Sequence, residues 1–219
     1  FNAMAEQIET TFQGQQQLLW DVSHELRTPL TRLNIAFDLV GNAGPEQRKD
    51  LIAKAEANLK RLDTLIQQIL DLARIGKMKD LPPDCKEIEL KQLATILIED
   101  AQAEAESMGR TIRQSLPDQP VLVSGSEELL RRALENVIRN AFQHTPKEAG
   151  ITVTLQVSHE VGPDFAVILV TDTGPGVAPE KLPHIFQPFY RAAPEKPHAH
   201  EGTGLGLAIV KHVLERHQA

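Results

Sequence analysis

The chain has 219 residues, enough for one large or two modest domains, and 41% of them are hydrophobic, which suffices for ordinary folded cores. Its formal net charge is −7 and it contains no long basic run, so we expect no nucleic acid among its partners. Cys85 is the only cysteine, which excludes an intramolecular disulfide. No run of about 18 apolar residues is present that would span a membrane.

The first part of the chain predicts a helical hairpin. Apolar residues recur every three or four positions through residues 19–40 and again through residues 51–72, which is the spacing of one apolar stripe on each of two helices. Gly41 and Gly44 can end the first helix, and Pro45 suits the first position of the second. Because two helices bury these stripes poorly, we expect two hairpins to pair as a four-helix bundle in a homodimer.

The second part of the chain has a different pattern. Residues 77–85 predict a linker, and beyond it short β-like runs alternate with helical segments, which predicts an α+β layered domain. Residues 191–203 are rich in proline, histidine and glycine and predict a mobile loop. The helices of this part are expected at residues 92–107, 127–142 and 205–217. The two predicted domains are residues 1–80 and 81–219.

A histidine is predicted on the outer face of the first helix. His24 is two residues beyond the stripe residue Val22, about 200° around the helix, so it points away from the core. Glu25 is adjacent, Thr28 is one turn further on, and Pro29 frees a backbone carbonyl. An imidazole is nucleophilic near neutral pH, and a carboxylate stabilises the cation formed during attack. A solvated surface histidine fits the same pattern, and these residues alone leave both hypotheses open.

The segment "SHELRTPLTRL", residues 23–33, resembles the H box of bacterial sensor histidine kinases. The resemblance implies that His24 accepts the γ-phosphoryl group of ATP and that Glu25 is its acid–base partner. It further implies that Thr28 positions water for dephosphorylation of the partner regulator, and that Pro29 marks a helix bend used in switching.

Three later segments offer parts of a nucleotide site, although no P-loop motif occurs. Asn136 and Asn140 share one helix face, and their side-chain oxygens suit Mg²⁺. In "VTDTGPGV", Asp172 follows an apolar strand, where its carboxylate can accept a hydrogen bond from an adenine amino group. "EGTGLGLAIV" feeds a helix, as phosphate-binding loops do. Taken singly, each segment also has an ordinary structural explanation: the first is a polar helix face, the second an Asp–Gly turn and the third a loop that needs positive φ.

In this order the three segments resemble the N, G1 and G2 boxes of the histidine kinase ATP domain, a fold shared with type II topoisomerases and Hsp90 chaperones. "IFQPFYR" resembles its F box. The resemblance implies that Asn136 and Asn140 bind Mg²⁺ and phosphate, and that Asp172 recognises adenine. It implies further nucleotide contacts from Gly174, Gly176, Arg191, Gly202, Thr203, Gly204, Leu205 and Gly206.

The resemblance also implies an ATP lid over residues 191–203, with Phe186 and Phe189 packing at its base. At positions 143 and 144 many relatives carry a basic residue and a tyrosine, whereas this chain has Gln143 and His144. The basic residue that would contact the γ-phosphate in the family pattern is therefore not found on this helix. His212 and His217 on the terminal helix are expected to be surface groups.

Taken together, the chain is identified as a member of the sensor histidine kinases, closest to the Cpx-type envelope-stress sensors. The implied fold is α+β: a dimeric helical hairpin (four-helix bundle) followed by an α/β-sandwich ATP domain. The implied activity is autophosphorylation of His24 from ATP with Mg²⁺, transfer to a response-regulator receiver domain, and regulator phosphatase activity. The alternatives are a non-catalytic nucleotide-binding dimeric scaffold and an ATPase clamp of the same fold.

Both ends of the chain carry expectations of their own. The first residues resemble the tail of a HAMP linker, so we expect the cytoplasmic portion of an inner-membrane protein. The family's final β-hairpin is not found after the last helix, so we expect a C-terminally truncated ATP domain with an open sheet edge.

Overall fold

The computed structural model describes residues 2–77, 85–107, 109–159, 164–192 and 202–219. The chain divides into two compact units, Phe1–Asp71 and Leu72–Ala219. The predicted boundary between residues 80 and 81 lies outside the described residues and stays a prediction. No helix in the described ranges combines the length and the apolarity needed to cross a bilayer.

Two long helices form the first part of the chain. Helix α1 spans Asn2–Val40 and helix α2 spans Pro45–Lys77. The predicted break is confirmed, because the glycines near residues 41–44 end one helix and Pro45, which needs no N–H partner at a helix start, opens the next. The connection is short, so the two helices form a hairpin.

A single copy of the hairpin covers only part of its apolar surface. Leu33, Ala36, Leu51 and Leu65 are buried. Other large apolar side chains on the same two helices remain exposed, namely Leu19, Trp20, Leu30, Ile35, Phe37, Leu39, Ile52, Leu59, Ile66 and Leu70. Several of these recur every seven residues, which is the repeat of a helix bundle seam.

Pro29 lies inside helix α1, and the helix continues through it. Its ring is fully buried. Burial of the ring offsets part of the cost of the backbone hydrogen bond that a proline cannot donate. Pro29 is therefore a packing residue of the hairpin, and the helix bend expected from the resemblance stays a prediction.

The second part of the chain alternates strands and helices, as predicted. Its elements in chain order are β1 (Lys86–Glu89), α3 (Leu90–Ser107), β2 (Thr111–Ser115), β3 (Leu122–Gly125), α4 (Glu127–His144), β4 (Gly150–Ser158), β5 (Phe165–Thr171), a 3₁₀ helix (Pro179–His184) and α5 (Gly206–Arg216). The ends of the three predicted helices differ from the observed ends by at most two residues. The 3₁₀ helix was not predicted.

A mixed sheet carries the core of this part. Strand β4 pairs in parallel with β2 and antiparallel with β5, and β1 pairs antiparallel with β3 in a separate ribbon. Alternate residues of β4 are buried because side chains point to opposite faces of a strand, and these pack in one core with helices α3 and α4. The expected α/β layers are therefore present, and within the described residues the outer edge of β5 has no partner strand.

Helices α4 and α5 run in opposite directions. At one end, the His217 Nε2 atom accepts a hydrogen bond of 3.1 Å from the backbone N–H of Ser126, while Nδ1 lies 2.8 Å from the Val213 carbonyl oxygen. These partners require the tautomer with the proton on Nδ1. The expectation that His217 is a surface group is therefore wrong, because its half-buried ring caps the beginning of α4.

Helix α5 offers a direct test of this core. Ile209 is 0% exposed and Leu214, on the same helix, is 40% exposed. Ile209→Ala should lower the free energy of unfolding by about 2–5 kcal/mol, because it removes buried methyl groups and leaves a cavity. Leu214→Ala should lower it by about 1 kcal/mol or less. Urea denaturation measures both, and equal losses in the two variants would contradict this packing.

Candidate functional site

His24 stands on the exposed face of α1, as predicted. Its ring centroid lies 4.0 Å from that of Trp20, with the two ring planes inclined at 48°. One turn further along, the Thr28 hydroxyl donates a hydrogen bond of 3.4 Å to the backbone carbonyl of His24. The imidazole therefore lies in solvent, outside the hairpin's buried seam, with an aromatic ring on the preceding turn and a hydroxyl on the following one.

Glu25 points toward the second helix of the hairpin. Its Oε2 atom lies 3.7 Å from Nη2 of Arg61 on α2, and the two side chains are only 28% and 19% exposed. The ion pair joins α1 to α2 directly beside His24. Arg61 could not be found from the sequence, because no local pattern connects it to Glu25. The role of Glu25 as acid–base partner stays a prediction.

Helix α4 presents the two predicted asparagines. Asn136 and Asn140 are both half-buried and lie one helical turn apart. The Asn136 Nδ2 atom donates a hydrogen bond of 2.8 Å to the Arg132 carbonyl. This bond turns Oδ1 the other way, toward the beginning of α5, where a Cβ atom added to Gly206 would lie only 2.9 Å from it. The amide oxygen of Asn136 thus faces the end of the predicted phosphate loop.

The predicted adenine loop follows β5. Oδ1 of Asp172 accepts a hydrogen bond of 2.6 Å from the N–H of Gly174, which closes a tight turn. A Cβ atom at Gly174 would lie 2.7 Å from the carbonyl oxygen of His144, so this loop is pressed against the end of α4. Gly176 has φ of +70°, a conformation that glycine adopts without steric cost.

The predicted phosphate loop is held by the F-box segment through backbone contacts. The N–H of Phe189 donates a hydrogen bond of 2.9 Å to the carbonyl of Gly204. Gly204 has φ of +74°, and a Cβ atom there would lie 2.6 Å from the carbonyl carbon of Phe189. Phe189 itself has positive φ, at 62°. The expected packing at the base of the lid therefore includes a backbone clamp that the sequence did not indicate.

The residues around Gly204 define the rest of the loop. The Thr203 hydroxyl accepts a hydrogen bond of 3.3 Å from the N–H of Leu205. The Leu205 side chain is fully buried, so only its backbone can face a nucleotide. A Cβ atom at Gly202 would lie 3.4 Å from Oε1 of Gln143, so Gln143 reaches the loop although it supplies no positive charge.

The described part of the predicted lid is short. Arg191 is half-buried, and residues 193–201 lie outside the described residues. Phe186 is exposed, whereas Phe189 is half-buried. Lys181, on the 3₁₀ helix, donates a hydrogen bond to the carbonyl of Ala192, which puts a cation at the base of the lid. Lys181 was missed, because a lysine in a turn has no distinctive local signal.

The donor chemistry limits how a metal ion could bind. Within the described ranges, no group of three or more histidine, cysteine, aspartate or glutamate side chains could hold a metal ion. The amide oxygens of Asn136 and Asn140 are hard ligands of the type that Mg²⁺ accepts alongside waters and phosphate oxygens. The residues present therefore fit a magnesium ion that is bound together with a nucleotide, and do not form a cage for a metal alone.

Comparisons with known proteins show which family the chain resembles. Residues 15–77 match the family described as "His Kinase A (phospho-acceptor) domain", and residues 125–219 match "Histidine kinase-, DNA gyrase B-, and HSP90-like ATPase". The chain is 37% identical over 220 residues to the sensor histidine kinase CpxA of Escherichia coli (strain K12), covering 100% of this chain and 46% of that protein. The chain belongs to the sensor histidine kinases.

Solved structures support the fold of this kinase chain. ShkA in complex with AMPPNP is similar with a TM-score of 0.61 at 30% identity, covering 91% of this chain and 41% of that one. ThkA in complex with the response regulator protein TrrA has a TM-score of 0.67, covering 80% of this chain and 50% of that one. At 21% identity, the second likeness shows the fold alone.

The family and the Cpx-type resemblance expected from the sequence are confirmed, as is the fold class of a helical hairpin followed by an α/β ATP domain. The kinase chain spans about half the length of the curated relatives it matches. The assignments of individual site residues stay predictions.

The clamp on Gly204 yields a test. Gly204→Ala should destabilise the ATP domain by at least about 2 kcal/mol and weaken nucleotide binding, because a Cβ atom meets backbone in a left-handed conformation. Gly202→Ala meets only the end of the Gln143 side chain at 3.4 Å, so it should change stability much less. Urea denaturation and titration with a fluorescent ATP analogue measure the two effects. An unaltered unfolding midpoint for Gly204→Ala would show that no such clamp exists.

Proposed function

We propose that this chain is the catalytic core of a sensor histidine kinase. ATP phosphorylates His24, and the phosphoryl group then passes to an aspartate on a response-regulator receiver domain. The observation that carries the proposal is an exposed imidazole inside the phospho-acceptor match, in a chain that also contains an ATPase match. The complex of ShkA with AMPPNP, an ATP analogue, supports the choice of nucleotide.

Adenine recognition is assigned to the loop after β5. The exposed carboxylate of Asp172 accepts a hydrogen bond from the adenine amino group, which guanine lacks at that position. The hydrogen bond from the N–H of Gly174 holds the carboxylate in place before the base arrives. Gly174 and Gly176 carry no side chains, so the base can approach the backbone closely.

Phosphate binding is assigned to the loop that leads into α5. Gly202, Thr203, Gly204 and Gly206 supply backbone N–H groups near the positive end of that helix dipole, and Leu205 shapes the same loop because its N–H bonds to the Thr203 hydroxyl. The backbone clamp from Phe189 holds this loop in one shape. Arg191 adds a positive charge at the base of the lid.

Magnesium is assigned to helix α4. Asn140 and Asn136 would hold Mg²⁺ through amide oxygens, together with the phosphate oxygens of ATP. When bound, the ion neutralises part of the phosphate charge. The hydrogen bond from Asn136 to the Arg132 carbonyl orients its amide so that the oxygen faces the phosphate loop.

The transfer itself is a displacement at phosphorus. A ring nitrogen of His24 donates its lone pair to the γ-phosphorus, the bond from phosphorus to the bridging oxygen breaks, and ADP leaves with that electron pair. The proton on the other ring nitrogen passes to Glu25. In the second step, a receiver aspartate oxygen attacks the same phosphorus, the nitrogen–phosphorus bond breaks, and the imidazole regains its lone pair.

The hairpin surface supports a homodimer. The exposed residues at seven-residue spacing, Leu30 and Phe37 on α1 and Ile52, Leu59 and Ile66 on α2, form an apolar stripe, and a second hairpin covers it in a four-helix bundle. His24 lies on the polar face, which leaves it open to the receiver domain. We place the chain on the cytoplasmic side of an inner-membrane sensor, because ATP and receiver domains are both cytoplasmic.

Labelled ATP tests the kinase assignment. After incubation with γ-labelled ATP, the protein should carry acid-labile, base-stable label, and His24→Ala should abolish it while nucleotide binding is retained. His159→Ala is the matched control, since His159 is also exposed but pairs with Asp164 at 2.8 Å, in the ATP domain. That variant should be labelled normally.

Other outcomes would point to the alternatives. Nucleotide binding without any phosphohistidine would favour a non-catalytic scaffold. Steady ATP hydrolysis that His24→Ala does not alter would favour an ATPase clamp.

Thr28 is assigned to the phosphatase reaction. Thr28→Ala should slow dephosphorylation of the phosphorylated regulator by about a hundredfold, because the attacking water loses its positioning group. Autophosphorylation should be largely preserved. Thr31→Ala is the matched control, because Thr31 lies on the same face and its hydroxyl makes the same kind of bond one turn back, to the Arg27 carbonyl at 2.9 Å. Equal losses of phosphatase activity in both variants would contradict the assignment.

A further inference from the structure

We propose that Trp20 is a positioning residue for the phospho-acceptor histidine. Its indole holds the His24 imidazole in one orientation and stabilises the positive charge that the ring acquires as it attacks ATP. The inference rests on the proposed function, because it assumes that His24 is the phosphorylated residue.

The geometry of the two rings carries the inference. Trp20 and His24 are four residues apart on α1, so they share one helix face, and their centroids are 4.0 Å apart. Side chains on a helix lean toward its N-terminus, so the His24 ring leans back onto the turn that carries Trp20. A tilted contact at this distance covers part of one imidazole face and leaves the rest of the ring open to solvent.

Packing within the hairpin does not account for this tryptophan. Trp20 is 60% exposed. At intervals of seven residues it shares its helical position with Arg27 and Asn34, which are polar and exposed. The exposed apolar stripe runs instead through Leu30 and Phe37. A large indole therefore stands on the polar face, and the ring contact that the structure gives it is the one with His24.

The contact acts on both the orientation and the charge of the imidazole. An exposed histidine with no neighbour samples several staggered rotamers, and only some of them present a ring nitrogen to the γ-phosphorus. The tilted contact with the indole restricts these rotamers before ATP arrives, which lowers the entropy cost of reaching the reactive geometry. As the nitrogen–phosphorus bond forms and the bond to ADP breaks, the ring is cationic until its other proton leaves for Glu25, and an indole face attracts such a cation.

Two substitutions of Trp20 separate the effect of its aromatic contact from the effects of its size and its apolar character. Trp20→Leu keeps an apolar side chain but removes the aromatic face, and Trp20→Phe keeps a smaller aromatic face. Trp20→Leu should lower the rate of His24 labelling by about two- to fivefold, the ratio expected for a cation–π contact at an exposed site. The KM for ATP should be unchanged, because the inferred role of Trp20 is to orient the His24 ring and not to bind the nucleotide. Trp20→Phe should recover most of the lost rate.

Tryptophan fluorescence gives a second measurement. It would not change on phosphorylation of His24 if Trp20 had a merely structural role. The chain contains one tryptophan, so its indole emission comes from Trp20 alone. The emission should change in step with the incorporation of label into His24. Treatment with phosphoramidate, which phosphorylates histidine without ATP, should produce the same change in the wild-type protein. His24→Gln should abolish the change under both treatments.

The outcomes distinguish the inference from the function on which it rests. Suppose that the wild-type protein is labelled at His24. If Trp20→Leu is then labelled equally fast, or if the indole emission does not change on phosphorylation, the positioning role is overturned and the kinase assignment stands. If the wild-type protein acquires no label at His24, the proposed function fails and the positioning role fails with it. The phosphoramidate experiment then still reports whether the two rings are in contact.

Discussion

The proposed nucleotide site depends on a close approach of backbone to backbone at the start of α5. Gly204 and Phe189 are so near each other that no Cβ atom fits at Gly204, and the N–H of Phe189 bonds to the carbonyl of Gly204. The next glycine, Gly206, lies against the amide oxygen of Asn136. These contacts hold the phosphate loop between the F-box segment and helix α4. A side chain at either glycine would separate surfaces that meet in the proposed nucleotide site.

Helix α4 connects the parts of that site. Its middle carries the asparagines, its end receives the adenine loop through His144 and Gly174, and its beginning is capped by His217 from α5. Because α4 and α5 run in opposite directions, the contacts at Gly206 and His217 hold the two ends of α5 against the middle and the beginning of α4. The spacing of the asparagines from the phosphate loop is thus set by the packing of one helix pair.

The helical hairpin meets a different requirement. Its inner residues form a buried seam, its apolar stripe is left uncovered by one copy, and its polar face carries His24. The ion pair between Glu25 and Arg61 joins the two helices beside this histidine. In the proposed mechanism the imidazole must be open to two successive partners, the nucleotide and the receiver domain, and a polar helix face provides that access at little cost in stability.

Much of this could be predicted, because helix and strand patterns act over short distances. Apolar spacing predicted both hairpin helices, and the offset of His24 from Val22 predicted that the ring is exposed. Short β-like runs predicted the strands of the second part, and the glycine-rich segment predicted a loop that feeds α5. The error at His217 has the same origin, since a histidine near a helix end resembles a surface group until the partner across the fold is known.

The sequence by itself determined where the helices and strands lie, which side of α1 carries His24, and which family the chain resembles. Only the tertiary structure decided which distant groups meet: Arg61 with Glu25, Phe189 with Gly204, and His217 with the N–H of Ser126, 91 residues away. The physical reason is that periodicity and turn chemistry are set by neighbours a few residues apart. Contacts across the fold depend instead on how whole helices and loops pack, which no local pattern encodes.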